Sequence, residues 1–249
     1  RNSKERYQDC KMRTSANPER YYCTNENLEA IVLAMQPNEN DIILTVGGSG
    51  DQSFALLEKA GKVYCVDNSA WQVNYIKQRA NGLKRGDYKA FMPKLENEDE
   101  VSLRDDYIRH SRIKKIKEKI NWLTVKREDV VQAAQNGKFT KIYLSNALGY
   151  EQRDQIQATQ FSEAMHKLSQ ALTKGGLIYL SNHENLCREM YRTLPGPASI
   201  ITTENGVIRI TDPKELLPIG LTIDPELTTL ARRYEDDGFW EPAVYRRVK

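Results

Sequence analysis

The stretch Asp41-Ile-Ile-Leu-Thr-Val-Gly-Gly-Ser-Gly-Asp-Gln52, followed by Lys62-Val-Tyr-Cys-Val-Asp-Asn68, reads as strand, glycine loop, helix, strand and acidic tip. Ile42 to Val46 is a short, mostly β-branched apolar run of the kind buried in a parallel sheet, and Gly47, Gly48 and Gly50 let the backbone turn sharply beneath a ligand. Val63 to Val66 supplies a second strand. Asp67 then stands at the carboxyl end of that strand, about 20 residues past the first glycine, where a carboxylate can accept both hydroxyls of an adenosine ribose.

The spacing separates two classes of ligand. A dinucleotide fold would show G-x-G-x-x-G with a pyrophosphate over a helix amino terminus. Here Gly47-Gly-Ser-Gly50 is followed directly by Asp51, and a carboxylate beside the loop repels a pyrophosphate but can hold an ammonium group. S-adenosylmethionine carries an ammonium and a sulfonium and has no phosphate, so the charge of the loop favours it over NAD or FAD. An ordinary βα turn without a ligand is the plain reading of the glycines alone. Asp67 at the next strand tip argues against it.

The 249 residues suffice for one α/β domain with an amino-terminal extension. We expect residues 1–24 to form that extension or a lid, and residues 25–249 to form the cofactor-binding domain. The 37 basic and 34 acidic residues nearly cancel, so no nucleic-acid partner is expected. Basic charge concentrates locally, at Arg104, Arg109, Arg112, Lys114, Lys115, Lys117 and Lys119, which reads either as the solvated face of a helix or as a peripheral contact with an anionic membrane surface or an acidic substrate. Cys10, Cys23, Cys65 and Cys187 show no C-x-x-C pairing, so reduced thiols are expected and neither a disulfide framework nor a zinc site is indicated. His110, His166 and His183 are far apart, and no metal is expected. With no apolar run near the ~20 residues that span a bilayer, the reading is a soluble, cytoplasmic chain.

Along the chain, Asn25 is a candidate N-cap for a helix through Leu28, Ile31, Val32 and Met35. Ala70 to Gly82 is a second crossover helix. An insertion near residues 84–120 follows, and such a segment commonly shapes an acceptor pocket. Trp122 to Val125 is a third strand, with Glu128 and Asp129 placed to meet an adenine amine, and helix Val130 to Asn136 comes next. Lys141 to Asn146 is a fourth strand whose tip exposes Ser145, Asn146, Gly149 and Tyr150. Helix Phe161 to Leu172 ends at Lys174-Gly-Gly176, before strand Leu177 to Leu180 and its tip Ser181, Asn182 and His183. A strand Val207 to Ile210 and an aromatic-rich final strand in Phe239 to Val248 close the sheet. The architecture implied is α/β and Rossmann-like: a mostly parallel seven-stranded sheet with an antiparallel last strand and a helical amino-terminal extension.

These ordered strand-tip motifs resemble the class I S-adenosylmethionine-dependent transferase fold, the methyltransferase fold, across roughly residues 24 to 249. More narrowly, Tyr22-Cys-Thr-Asn-Glu-Asn-Leu28, Ile43 to Asp51, Val66-Asp67 with Gln72, and Leu144-Ser-Asn146 are similar to the betaine-lipid family that transfers a 3-amino-3-carboxypropyl group to diacylglycerol. Leu44, Thr45, Gly50, Asp51, Asp67 and Gln72 match that pattern. Gly48 stands in place of the loop serine and Ser69 in place of the tip asparagine.

The resemblance implies a cofactor site of Gly47, Gly48, Gly50, Asp51, Asp67, Asn68, Gln72, Asp129 and Ser145. Asp51 and the loop amides would grip the amino-acid end. Ser145, Asn146 and Tyr150 would face the reacting centre and an acceptor that is a small molecule or a lipid. His183 is a candidate base and Tyr21 and Tyr22 are candidate lid residues, although packing accounts equally well for a tyrosine in a chain with 13 of them. The leading expectation is attack on the methionine γ-carbon, which gives aminocarboxypropyl transfer with release of methylthioadenosine, including self-cyclisation to azetidine-2-carboxylate. As alternatives, attack on the methyl gives methylation, and a non-catalytic cofactor-binding protein is the reading outside enzymes.

Overall fold

The computed structural model describes residues 11–12, 20–94, 103–150, 158–182, 202–204, 207–209, 220–235 and 240–249. The apolar runs form the expected strands β1 (Ile42–Val46), β2 (Lys62–Asp67), β3 (Leu123–Arg127), β4 (Phe139–Tyr143) and β5 (Leu172–Leu180), joined by β6 (Leu221–Ile223) and β7 (Ala243–Arg247). They make a seven-stranded sheet in the order β3-β2-β1-β4-β5-β7-β6. The first five pair in parallel, while β7 runs antiparallel to both β5 and β6. This is the expected α/β, Rossmann-like arrangement. Strand order reverses between β1 and β4, which opens a crevice at their carboxyl ends.

Alternation along the strands divides the core between two faces. Ile43, Val63, Cys65, Tyr143 and Tyr179 point to one, where they meet α1 (Leu28–Met35), α2 (Asp51–Leu57) and α3 (Ala70–Arg85). Leu44, Val66, Ile142 and Ile178 point to the other, against α7 (Val130–Gln135) and α9 (Ala158–Ala171). Helix α1 is capped by Asn27, whose side chain accepts from the Ala30 amide, so the cap lies two residues later than the expected Asn25. The Asn25 carbonyl instead accepts from the Trp240 indole at 2.8 Å.

Several expectations are corrected. Helix α9 passes directly into β5, so Lys174 to Gly176 lie inside the strand, where Gly175 takes φ +78°. Strand β4 stops at Tyr143, leaving Ser145 and Asn146 in the turn before the short helix α8 (Ala147–Tyr150). Val207–Arg209 pairs with Thr202–Glu204 outside the main sheet, and β7 is partnered by the three-residue β6. The described part of the amino-terminal extension includes a short antiparallel ladder, Lys11–Met12 with Arg20–Tyr21, and the expected helix there falls on residues outside the described ones. Cys23 is disulfide-bonded, contrary to the expectation of reduced thiols; separation in sequence says nothing about closeness in space. Cys65 is free and buried, and burial pushes its thiol up to about 12. Cys10 and Cys187 lie outside the described residues. No described helix is long and apolar enough to cross a membrane.

The insertion contributes α4 (Tyr88–Phe91), α5 (Leu103–Tyr107) and α6 (His110–Lys119). Its basic residues are largely engaged within the fold. Arg104 is buried and donates to the Pro93 carbonyl, Arg112 pairs with Glu29 and Glu58, Lys115 pairs with Glu58, and Lys119 donates to the carbonyls of Lys59 and Ala60.

One buried pair locks the sheet edgewise. Lys141, in the middle of β4, reaches the Asp41 carboxylate and the Gln36 carbonyl at the entrance to β1, with both side chains less than 10% exposed. Lys141→Met leaves Asp41 buried without its cation and should cost about 3 kcal/mol or more. Adding Asp41→Asn should recover part of that loss. Urea unfolding of wild type, single and double variants measures both, and equal stability of all three would refute the assignment.

Candidate functional site

The site grows from the loop between β1 and α2. A Cβ at Gly47 would lie 2.8 Å from the Asp67 Cβ, so only glycine lets the β2 tip pack against the loop, and Gly50 takes φ +89° to start α2. Asp67 ties the two tips together. Its Oδ2 accepts from the Gly48 amide at 2.9 Å and its Oδ1 from the Ser69 amide at 2.8 Å. Burial raises the Asp67 pKa above the usual carboxylate value, and these two amide bonds oppose the shift.

Asp51 does not face the ligand space. It is 0% exposed, and its Oδ1 lies 2.7 Å from Arg79 Nη2 in an ion pair whose angle makes no hydrogen bond. Its Oδ2 accepts from the Thr24 amide at 2.8 Å and from Ser49 Oγ at 2.9 Å. Arg79 is buried too, donating to the carbonyls of Ser49 at 2.7 Å and Phe91 at 2.8 Å. The expected ammonium-holding role of Asp51 is therefore corrected: an arginine from α3, 28 residues on, neutralises it, and the pair holds a strap of residues 21–26 over the loop.

Gln72 completes that attachment. It accepts from the Tyr21 amide at 2.9 Å, donates to the Tyr21 carbonyl at 3.0 Å, and also donates to the Gly48 carbonyl. Gln52 Nε2 donates to Thr24 Oγ1 at 2.9 Å. Tyr22, expected as a lid, packs away from the cavity against Trp71 and Tyr75, whereas Tyr21 lines it.

The strap delivers a carboxylate that sequence reasoning passed over. Glu26 is 1% exposed and accepts from Tyr143 Oη at 2.7 Å, from Ser145 Oγ and from Ser181 Oγ. Burial pushes its pKa up, and the three hydroxyl donors oppose the shift. The tips of β4 and β5 are thus joined through one acid. The available signal was the pair of tip serines, Ser145 and Ser181, whose hydroxyls need an acceptor.

These residues surround a cavity of about 940 Å³ at the carboxyl ends of the strands. Of the expected site residues, Gly47, Gly48, Asp67, Asn68, Gln72, Asp129, Ser145 and Asn146 line it, while Gly50 and Asp51 do not. Asp129 caps α7 through Oδ1, which accepts from the amides of Val131 and Gln132. Ser145 sits at φ +51°, a left-handed conformation uncommon for a residue with a side chain and one that gathers at functional sites. The Tyr150 side chain and His183 lie outside the described residues. No described residue of the 84–120 insertion lines the cavity, and residues 95–102 of it lie outside the described residues. Four carboxylates, Glu26, Asp67, Glu128 and Asp129, face a single lysine, Lys167, among the lining residues.

No protein-family model matches the chain, and no curated protein matches its sequence. Among solved structures it is similar to TrmN from Thermus thermophilus, at 11% identity over 88% of this chain and 48% of that one, with a TM-score of 0.48. It is similar to SMU.1697c from Streptococcus mutans in complex with SAH, at 10% identity over 88% and 96% of the two chains and a TM-score of 0.46. An RNA methyltransferase from Salinibacter ruber in complex with S-adenosyl-L-homocysteine gives 11% identity over 88% and 87%, with a TM-score of 0.40. The chain spans about half the length of TrmN. At such identities the likeness carries no residue role.

The raised pKa of Glu26 predicts a pH dependence. A carboxyl whose folded pKa lies above its unfolded value, near 4.5, contributes stability that is complete below that value and is lost as pH rises through the folded pKa. Glu26→Gln does not titrate, so the difference in Tm should move in favour of the variant as pH rises above about 4.5. Thermal unfolding of both proteins across that rise in pH checks this; a pH-independent difference would contradict it.

Proposed function

We propose that this chain is an S-adenosylmethionine-dependent transferase whose principal reaction is methyl transfer to a small nucleophile. The observation that carries the reading is the charge of the cavity wall among the described residues, four carboxylates against one lysine, around a glycine loop and a carboxylate at the β2 tip. Such a wall repels a pyrophosphate and attracts a ligand bearing ammonium and sulfonium charge. The loop also leaves room. A Cβ at Gly48 would have no atom within 4 Å, so the cavity is open directly against its backbone.

When bound, S-adenosylmethionine supplies a methyl carbon activated by the sulfonium. Asp67 would hold the ribose hydroxyls, since each of its oxygens accepts one amide and keeps a further acceptor position. Asp129 would meet the adenine amine through Oδ2, its Oδ1 being engaged in capping α7. Ser145 and Asn146 orient the acceptor at the β4 tip, where alignment supplies much of the rate. Tyr21 and the strap close the cavity, with residues 1–24 acting as a lid on a binding unit of residues 25–249.

A second reading is transfer of the 3-amino-3-carboxypropyl group, to a lipid or small molecule or within the cofactor itself. It rests on the motif match at Asp67 and Gln72, both of which hold Gly48. Leu44, Thr45 and Asp51 of the same match are fully buried in the frame, so they build the loop without selecting a carbon. Methyl transfer therefore stands first.

Incubation with S-adenosylmethionine, alone and with a panel of amine and hydroxyl acceptors, followed by mass spectrometry of the nucleosides, separates the readings. S-adenosylhomocysteine is expected; methylthioadenosine would favour the second reading instead. Asp67→Ala should weaken calorimetric affinity for S-adenosylhomocysteine by about tenfold or more, through loss of charge-assisted hydrogen bonds. Undiminished affinity would displace the ribose from Asp67.

A further inference from the structure

We propose that Glu26 receives the α-ammonium of the methionyl half of S-adenosylmethionine, the role that the loop carboxylate Asp51 cannot fill. The inference rests on the cofactor reading above and names the residue that recognises the cationic end. Glu26 lies on the cavity wall, yet is only 1% exposed. Its oxygens accept three hydroxyls, two on Oε1 and one on Oε2. A carboxylate offers about four acceptor positions, so one remains on Oε2 for a donor from the ligand.

Charge points the same way. Hydroxyl donors orient a carboxylate and favour its ionised form, but they bring no positive charge. Among the described residues no lysine, arginine or histidine pairs with Glu26, whereas the buried acids Asp41, Asp51 and Glu58 each have a cation within 4.0 Å. Burial accordingly pushes the Glu26 carboxyl up. A buried acid that faces a cavity and lacks a resident cation gains most from a cation brought by a ligand.

Position selects the amino-acid end. Glu26 is two residues from Thr24, whose amide is held by Asp51 at the start of α2, and it is bonded to Ser145 at the β4 tip. It therefore sits between the glycine loop and the β4 tip. The ribose and adenine carboxylates, Asp67 and Asp129, lie at the tips of β2 and β3 on the other side of the loop.

The test is calorimetric titration of the full chain with S-adenosylhomocysteine, with its analogue lacking only the α-amine, and with methylthioadenosine, which lacks the amino-acid end. Wild type should bind S-adenosylhomocysteine about 10- to 100-fold more tightly than the desamino analogue, the range of a charge-assisted hydrogen bond. In Glu26→Gln that gap should close through loss of S-adenosylhomocysteine affinity, while methylthioadenosine affinity stays within about twofold. A gap as large in Glu26→Gln as in wild type would overturn the proposal, and so would a wild-type ratio near one, which needs no variant to fold. Failure of wild type to bind any of the three compounds would overturn the cofactor reading itself.

Discussion

The buried pair of Asp51 and Arg79 is the interaction on which the site depends. Removing two charges from water costs several kcal/mol per ion, and attraction repays that only when the remaining hydrogen bonds are also met. Here most of them are. Arg79 donates to two carbonyls and lies within 5.0–5.6 Å of the ring centroids of Phe54, Tyr75 and Phe91. Asp51 accepts from the strap and from the loop. Through this pair, the glycine loop, helix α3, the start of the insertion and the strap share one rigid junction. The described residues of the insertion thus support the cavity from behind.

Much of the frame was legible in the sequence, because β1, the glycine turn and β2 are encoded by local preferences. A β-branched run, glycines at a tight turn and an acid at a strand end need no distant partner to be recognised. Asp67 and the tip residues Ser145 and Asn146 followed from that frame, and the structure brings them to one cavity. What was not legible depends on distant contacts. The direction of Asp51 is set by Arg79, whose approach depends on how α3 packs. Glu26 sits in a polar string without periodicity, and its partners are 117 to 155 residues away. The three-residue β6 is too short to carry a pattern of its own.

The same comparison changes the meaning of the motif resemblance. Thr45, Asp51 and Gln72 match a transferase pattern, and each is used in holding backbone or frame in place: Thr45 bonds to Ser53, Asp51 to Arg79 and Gln72 to Tyr21 and Gly48. Motif identity here reports how a loop is built. The charge that lines the cavity comes from described residues on four separate segments, which no single motif spans.

The clamp made by Gln72 reads position 21 only through its backbone. One side-chain amide accepts from the Tyr21 N–H and donates to the Tyr21 carbonyl, as a neighbouring strand would. The strap is therefore held in register whatever side chain position 21 carries, while that side chain lines the cavity. Attachment and lining are separated at a single residue: the Gln72 clamp holds the backbone there, and the side chain sets the shape and polarity of the cavity wall.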